Sequence, residues 1–273
     1  MIEVIYAGND RMFDGILISV LSAARNTREP LSVTLLTMDL TGTDPAFAPI
    51  NEKQRAFIER TAREYRPESR VRIIDCAEHW HGRLSSSPNA GTSYSPYTFL
   101  RLFCDRLPLP QKVLYLDADT VVPGDLSELW RTDLDGCEFA AVRDYYGKIF
   151  LGPGYFNAGV MLFDLDRIRE TGLFEKAISL LCRKRLFLPD QTALYRCHEK
   201  KKLLPRRFNE QKDYEREDTV IQHFTKTILW FPYFHTRTVK PWEPEKVGQI
   251  LTRRYDGLFD EYRKLKGIYE NEQ

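Results

Sequence analysis

Over the first two-thirds of the 273-residue chain, short apolar runs of strand character alternate with longer runs whose apolar residues recur at helical spacing. Ile2 to Ala7 reads as a strand. Met12, Phe13, Ile16, Leu17, Val20, Leu21 and Ala24 then mark one face of a helix over about residues 11–26. Leu31 to Met38 is a second strand, Glu52 to Tyr65 a polar helix and Val71 to Ile74 a third strand. A helix over Thr98 to Cys104 leads into the strand Val113 to Leu116. This order predicts an α/β fold, with a Rossmann-like, mostly parallel central sheet flanked by helices. Ligands of such sheets bind outside the carboxyl ends of the strands. Gly8, Asn9 and Asp10 follow one such end, and Asp117 follows another.

Farther along, Phe139 to Arg143 and Asn157 to Leu165 read as strands around the turn-rich LGPG (151–154), with helices over about 166–182 and 190–198. A strand near Val220 to Phe224 precedes an irregular, aromatic C-terminal segment. Tyr255, Leu258, Phe259, Tyr262 and Leu265 form an amphipathic stripe near the end. The reading divides the chain into a core over 1–225 and an extension of the same domain over 226–273. SSSPNAGTSYSP (85–96) is a loop by composition, either a surface connector or a lid over the site.

A formal net charge of +1 gives no electrostatic reason to expect a nucleic-acid partner. The five cysteines are odd in number, lack a C-x-x-C pair and sit among apolar neighbours, so they predict buried free thiols and a cytoplasmic setting. The N-terminus begins as a strand without a basic region, which argues against a signal peptide. No apolar run approaches the roughly 18 residues of a membrane span.

The sequence KVLYLDADT (112–120) drives an apolar strand straight into two carboxylates. If strand geometry persists, Asp117 and Asp119 share a face. Two like charges so close cost free energy unless a proton or a cation intervenes. Three readings compete: carboxylates that cap a turn and bind nothing, a haloacid dehalogenase-like phosphatase with Asp117 as nucleophile, and a glycosyltransferase whose aspartates hold Mn²⁺ or Mg²⁺ against a nucleotide diphosphate. Position counts against the phosphatase, because a long α/β stretch precedes the motif.

The flanks add a family. SPYTFLRLFCDRLPLPQKVLYLDADTVVPGDLSELW resembles the core signature of glycosyltransferase family 8. GYFNAGVMLFDL (154–165), LPDQTAL (188–194), VIQHF (220–224) and KPW (240–242) then follow in that family's order, and IYAGND near the start resembles its uridine-binding segment. The resemblance implies a GT-A fold and retaining transfer of a hexose from UDP-glucose or UDP-galactose to a saccharide, glycolipid or protein acceptor. It implies Asp117, Asp119 and His223 as metal ligands. A longer insertion than usual separates VIQHF from KPW, which makes His235 a rival to His223.

Ala7, Gly8, Asn9 and Asp10 would then meet uridine, Arg101 and Ala118 the donor, Asn157 its sugar and Lys240 its diphosphate. Gln191 would turn its amide oxygen toward the anomeric carbon. Asp144 and Asp190 would bind sugar hydroxyls, although Asp190 reads equally well as a helix cap. The aromatics of ILWFPYF (228–234) are either core or acceptor cleft. Together with Arg253, Arg254 and the terminal stripe, they also suggest peripheral contact with the inner membrane face. A non-catalytic nucleotide-sugar-binding module has no need of the acidic pair together with Gln191 and Lys240.

Overall fold

The computed structural model describes residues 1–91, 94–212, 216–229, 235–251 and 255–272. Its strands are β1 (Ile2–Ala7), β2 (Leu31–Thr37), β3 (Arg70–Asp75), β4 (Lys112–Leu116), β5 (Thr120–Val121), β6 (Phe139–Arg143), β7 (Phe156–Asp164), β8 (Lys201–Leu204), β9 (Gln222–His223), β10 (Thr227–Leu229) and β11 (His235–Arg237). Its helices are α1 (Phe13–Asn26), α2 (Glu52–Tyr65), α3 (Ala77–Arg83), α4 (Leu126–Trp130), α5 (Gly147–Phe150), α6 (Leu165–Thr171), α7 (Leu173–Arg183), α8 (Pro189–Cys197), α9 (Pro244–Gly248) and α10 (Asp256–Asn271).

Seven strands form the central sheet in the order β3-β2-β1-β4-β7-β6-β8. The pairs β3/β2, β2/β1, β1/β4 and β6/β8 are parallel. Every residue of β2 is buried, as a strand covered on both faces requires. Strand β7 runs antiparallel to both β4 and β6. That reversal sets the start of β7 beside the end of β4, where the Asp117 N–H donates to the Gly159 carbonyl at 2.8 Å. Strand order reverses between β1 and β4, so the ends of both open into one crevice.

Several expected elements take a different form. The helix expected over 98–104 is a 3₁₀ helix over Pro96–Arg106 that buries Tyr97 and every residue from Phe99 to Cys104, so no single apolar stripe enforces an α-helical period. The helix expected over 166–182 breaks into α6 and α7 at Gly172, whose φ of 65° suits glycine. The strand expected at 220–224 contracts to β9, which pairs with β5 rather than with the main sheet. Strand β8 and helices α3, α4, α5 and α9 carry too few periodic residues to be read in advance. Cys76, Cys104 and Cys137 are buried and unpaired as expected, whereas Cys182 is exposed.

The C-terminal stripe corrects one expectation. Tyr255, Leu258, Phe259, Tyr262 and Leu265 are all buried. They bring α10 onto the layer built by α1 and α2, where the Tyr269 ring lies 4.4 Å from that of Phe13 and 5.0 Å from that of Phe57. The core has taken this face, so it cannot lie on a membrane. Residues 230–234, Arg253 and Arg254 fall outside the described residues. Among the described residues no helix is long and apolar enough to cross a membrane.

The loop over 85–96, read as either a connector or a lid, is pinned over its first half. Asn89 is fully buried; its Nδ2 donates to the Leu181 and Lys184 carbonyls at 2.7 Å each, and its Oδ1 accepts from Leu186 N–H at 2.8 Å. This half ties the loop to the end of α7. Thr92 and Ser93 lie outside the described residues.

Because Phe259 is 3 % exposed in the seam between α10 and the core, Phe259→Ala should cost about 3–5 kcal/mol of stability. Urea unfolding monitored by circular dichroism reads this directly.

Candidate active site

The D-x-D pair leaves the sheet in a turn, not along a continuing strand. β4 stops at Leu116 and β5 begins at Thr120. The carboxylates converge all the same, because β5 pairs with β9 in a register that sets Thr120 opposite His223. One donor atom from each of Asp117, Asp119 and His223 lies within 4.8 Å of the others. His223 Nε2 is 3.1 Å from Asp119 Oδ1 and 3.7 Å from Asp117 Oδ2. His235 sits in β11 and is not part of this cluster, which favours the first of the two histidines.

Glycines make room for the convergence. A Cβ at Gly159 would collide with His223 Cε1 and fall 2.7 Å from Asp117 Oδ2. A Cβ at Gly15 would lie 2.5 Å from the Ala118 carbonyl and 2.6 Å from the Trp242 ring. Helix α1 therefore packs directly against the D-x-D turn and the K-P-W segment.

Each aspartate gives one oxygen to a protein cation and turns the other toward His223. Arg101 Nη2 donates to Asp117 Oδ1 at 2.9 Å, and the Tyr115 hydroxyl donates to the same oxygen at 3.0 Å. Lys240 Nζ pairs with Asp119 Oδ2 and donates to the Phe224 carbonyl at 3.3 Å. Burial pushes the Asp119 carboxyl up, but Lys240 and then His223 beside it outweigh that and hold this group well below the ordinary carboxylate range. The two inward oxygens and the imidazole nitrogen form an O₂N set suited to a divalent ion.

Arg101 is 2 % exposed and lies beneath the site. Its guanidinium stacks 4.0 Å from the Tyr115 ring, donates to the Ala158 and Thr98 carbonyls and lies 3.4 Å from Asp190. Burial alone would lower its pKa, yet Tyr115, Asp117 and Asp190 more than compensate. Asp190 is accordingly a buried partner of Arg101, and burial raises its pKa. It does not cap α8, whose N-cap is Leu188 at φ 47°.

Asp144, Asn157 and Gln191 come together at the floor of a cavity of about 500 Å³ whose rim carries Phe150 and Phe187, 68 % and 69 % exposed. Asp144 Oδ1 accepts from the N–H groups of Tyr146 and Gly147 at the start of α5, while its Oδ2 faces Asn157 Nδ2 at 3.4 Å and Gln191 Nε2 at 3.3 Å. One lone pair of the Gln191 amide oxygen is taken by the backbone. That oxygen accepts from Ala158 N–H at 2.9 Å, and a backbone N–H can only donate, so it is already partly engaged.

At the end of β1, Gly8 is buried and a Cβ there would lie 2.9 Å from the Met12 Cβ. Asn9 turns away to donate to the Ala46 carbonyl at 2.9 Å. Asp10 buries its Oδ1 without a hydrogen-bond partner among the described residues. Three contributors escaped the sequence reading: Tyr115, Gly159 and Asn209, whose Oδ1 lies 3.2 Å from His223 Nδ1. Gly159 stands two positions after Asn157 in the quoted motif, and that was the one available signal.

A mostly parallel sheet with a D-x-D turn at its switch point is the arrangement of GT-A transferases. The Glycosyl transferase family 8 model matches residues 3–246, and the chain belongs to that family. It is 31% identical over 216 residues to the lipopolysaccharide 1,2-glucosyltransferase of Escherichia coli, covering 63% of this chain and 62% of that protein. It is 29% identical over 169 residues to glycosyltransferase GlyB of Streptococcus pneumoniae, covering 57% and 40%. The chain spans less than two thirds of the length of the curated relatives it matches. The fold is also that of galactosyltransferase LgtC, solved with donor and acceptor sugar analogues, at a TM-score of 0.62 and 21% identity over 94% of this chain and 100% of that one.

Gly159→Ala should displace the His223 ring and weaken Mn²⁺ binding by roughly 10–100-fold, the usual cost of disturbing what aims a metal ligand. Electron paramagnetic resonance of free Mn²⁺ measures this. His223→Ala should lose Mn²⁺ affinity in the same assay, and His235→Ala should keep it.

Proposed function

We propose that this chain is a metal-dependent retaining hexosyltransferase that moves glucose or galactose from a UDP-sugar to a saccharide acceptor. The observation that carries the reading is the cluster of Asp117, Asp119 and His223 at the sheet's switch point, with Lys240 beside it and the cavity floored by Asp144, Asn157 and Gln191 adjoining. Similarity to one glucosyltransferase and to one galactosyltransferase supports a hexose without deciding between the two.

The mixed O₂N donor set favours Mn²⁺ over Mg²⁺, which prefers oxygen alone. Bound there, such an ion supplies Lewis-acid charge to the departing diphosphate. The chain's own groups divide the remaining work. Lys240 carries a point charge that strengthens its attraction as negative charge develops on the leaving group. Arg101 and Tyr115 hold Asp117 in its rotamer from below. Asp10, just past the end of β1, offers a carboxylate to the imide N–H of uracil. Asp144, Asn157 and Gln191 hold the hexose, whose anomeric carbon exchanges its bond to the diphosphate oxygen for one to an acceptor hydroxyl oxygen, and the hydroxyl proton passes to the departing diphosphate. Phe150 and Phe187 offer apolar faces at the mouth, where an acceptor ring would stack.

UDP with Mn²⁺ at about 100 times the dissociation constant should stabilise the protein by roughly 2.7 kcal/mol. For a chain of this size that is a rise in melting temperature of roughly 5–10 °C. The rise should require both ligands and vanish in Asp117→Asn. UDP-glucose and UDP-galactose are then assayed for slow hydrolysis. Stabilisation without turnover of either donor would leave a binding module, and no stabilisation would overturn the reading.

A further inference from the structure

Asn209 is fully buried and belongs to none of the segments read from the sequence. It lies between the metal cluster and the sugar cavity. Four hydrogen bonds run from one to the other, and one backbone group fixes the direction of the first part of the chain. Gly159 N–H donates to an amide atom of Asn157 at 3.0 Å, so that atom is the oxygen Oδ1. The same oxygen lies 2.9 Å from one end of the Asn209 amide, which must therefore be the NH₂ group. The other end of that amide is then an oxygen, 3.2 Å from His223 Nδ1. An oxygen there accepts only, so Nδ1 carries a proton, which leaves Nε2 as the nitrogen that faces Asp117 Oδ2 and Asp119 Oδ1 and whose lone pair a metal ion takes up once no proton is on it. Beyond Asn157, its Nδ2 continues to Asp144 Oδ2, which also faces Gln191.

We infer that Asn209 is a positioning residue that selects the Nε2-binding tautomer of His223 and, with its other end, orients the Asn157 amide at the sugar cavity. The inference rests on the proposed metal centre. One side chain thereby sets the geometry of two sites that the reaction must use together. The contact with His223 is closed to solvent, because Asn209 and His223 are both buried, and Asn157 is held from two sides.

The experiment uses the full chain and three proteins: wild type, Asn209→Ala and Asn209→Asp. Aspartate keeps the acceptor toward His223 and loses the donor toward Asn157, so the variants separate the two ends of the side chain. In the metal-free wild type at alkaline pH, where the imidazole is neutral, ¹⁵N NMR of labelled histidine should give His223 a pyridine-type nitrogen at Nε2. Asn209→Ala should mix the tautomers and weaken Mn²⁺ by roughly 10–100-fold. Asn209→Asp should restore both the NMR signature and Mn²⁺ affinity, while donor KM stays raised because Asn157 has lost its tether. Unchanged Mn²⁺ affinity and an unchanged tautomer in Asn209→Ala would overturn the inference, as would a loss in Asn209→Asp equal to that in the alanine variant. A wild type that shows the expected tautomer but binds no Mn²⁺ would overturn the metal centre alone.

Discussion

Two carboxylate oxygens directed at one point repel one another, and the ends of the central strands are organised around that repulsion. Asp117 Oδ2 and Asp119 Oδ1 converge on His223 Nε2, while the Nδ1 proton of the same ring is held by Asn209. Protein cations neutralise only the outer oxygens: Arg101 on Asp117 and Lys240 on Asp119. A positive species is needed between the inner atoms, and a divalent ion uses all three lone pairs at once. Burying Arg101 under the site would be costly in isolation. Its stacking on Tyr115, its two carboxylate partners and its two carbonyl acceptors satisfy it, and this fixes Asp117 from below.

The backbone brings these groups together from four distant parts of the chain. Parallel pairing of β1 with β4 aligns Gly8, Asn9 and Asp10 with the acidic turn. The reversed β7 then delivers Asn157 and Gly159 to the same edge, which a parallel strand would have carried to the opposite end of the sheet. A two-residue ladder between β5 and β9 closes the cluster by bringing His223 across. α10 packs over α1 from the far side, and α1 in turn presses Gly15 against the Ala118 carbonyl. The terminal helix thus supports the acidic turn through one intervening layer.

Periodicity made the alternating half of this architecture legible. The first four strands of the sheet follow from short apolar runs bounded by polar segments, and helices α1 and α2 from apolar residues at helical spacing. Where burial lacks a period, spacing gave less: the 3₁₀ helix around Arg101 is apolar on every side, and β9 is too short to show alternation. Asp117 and Asp119 stood out because paired acids after an apolar strand are physically anomalous. Asn209 did not, since a lone amide in RRFNEQ carries no charge conflict and no spacing. Its place is set by contacts with residues 14 and 52 positions away. The fate of the terminal stripe was equally hidden: an amphipathic face predicts burial against something, and tertiary packing alone decides that the partner is α1 and not a lipid surface.

The most direct test of the central claim is diffraction from crystals grown with UDP and Mn²⁺, with anomalous data collected at the manganese edge. The account predicts one strong peak bonded to Asp117, Asp119 and His223 Nε2, with Lys240 moved from Asp119 toward the diphosphate. Manganese bound elsewhere, or UDP bound in the crevice with Lys240 still paired to Asp119 and no peak between the aspartates, would contradict it.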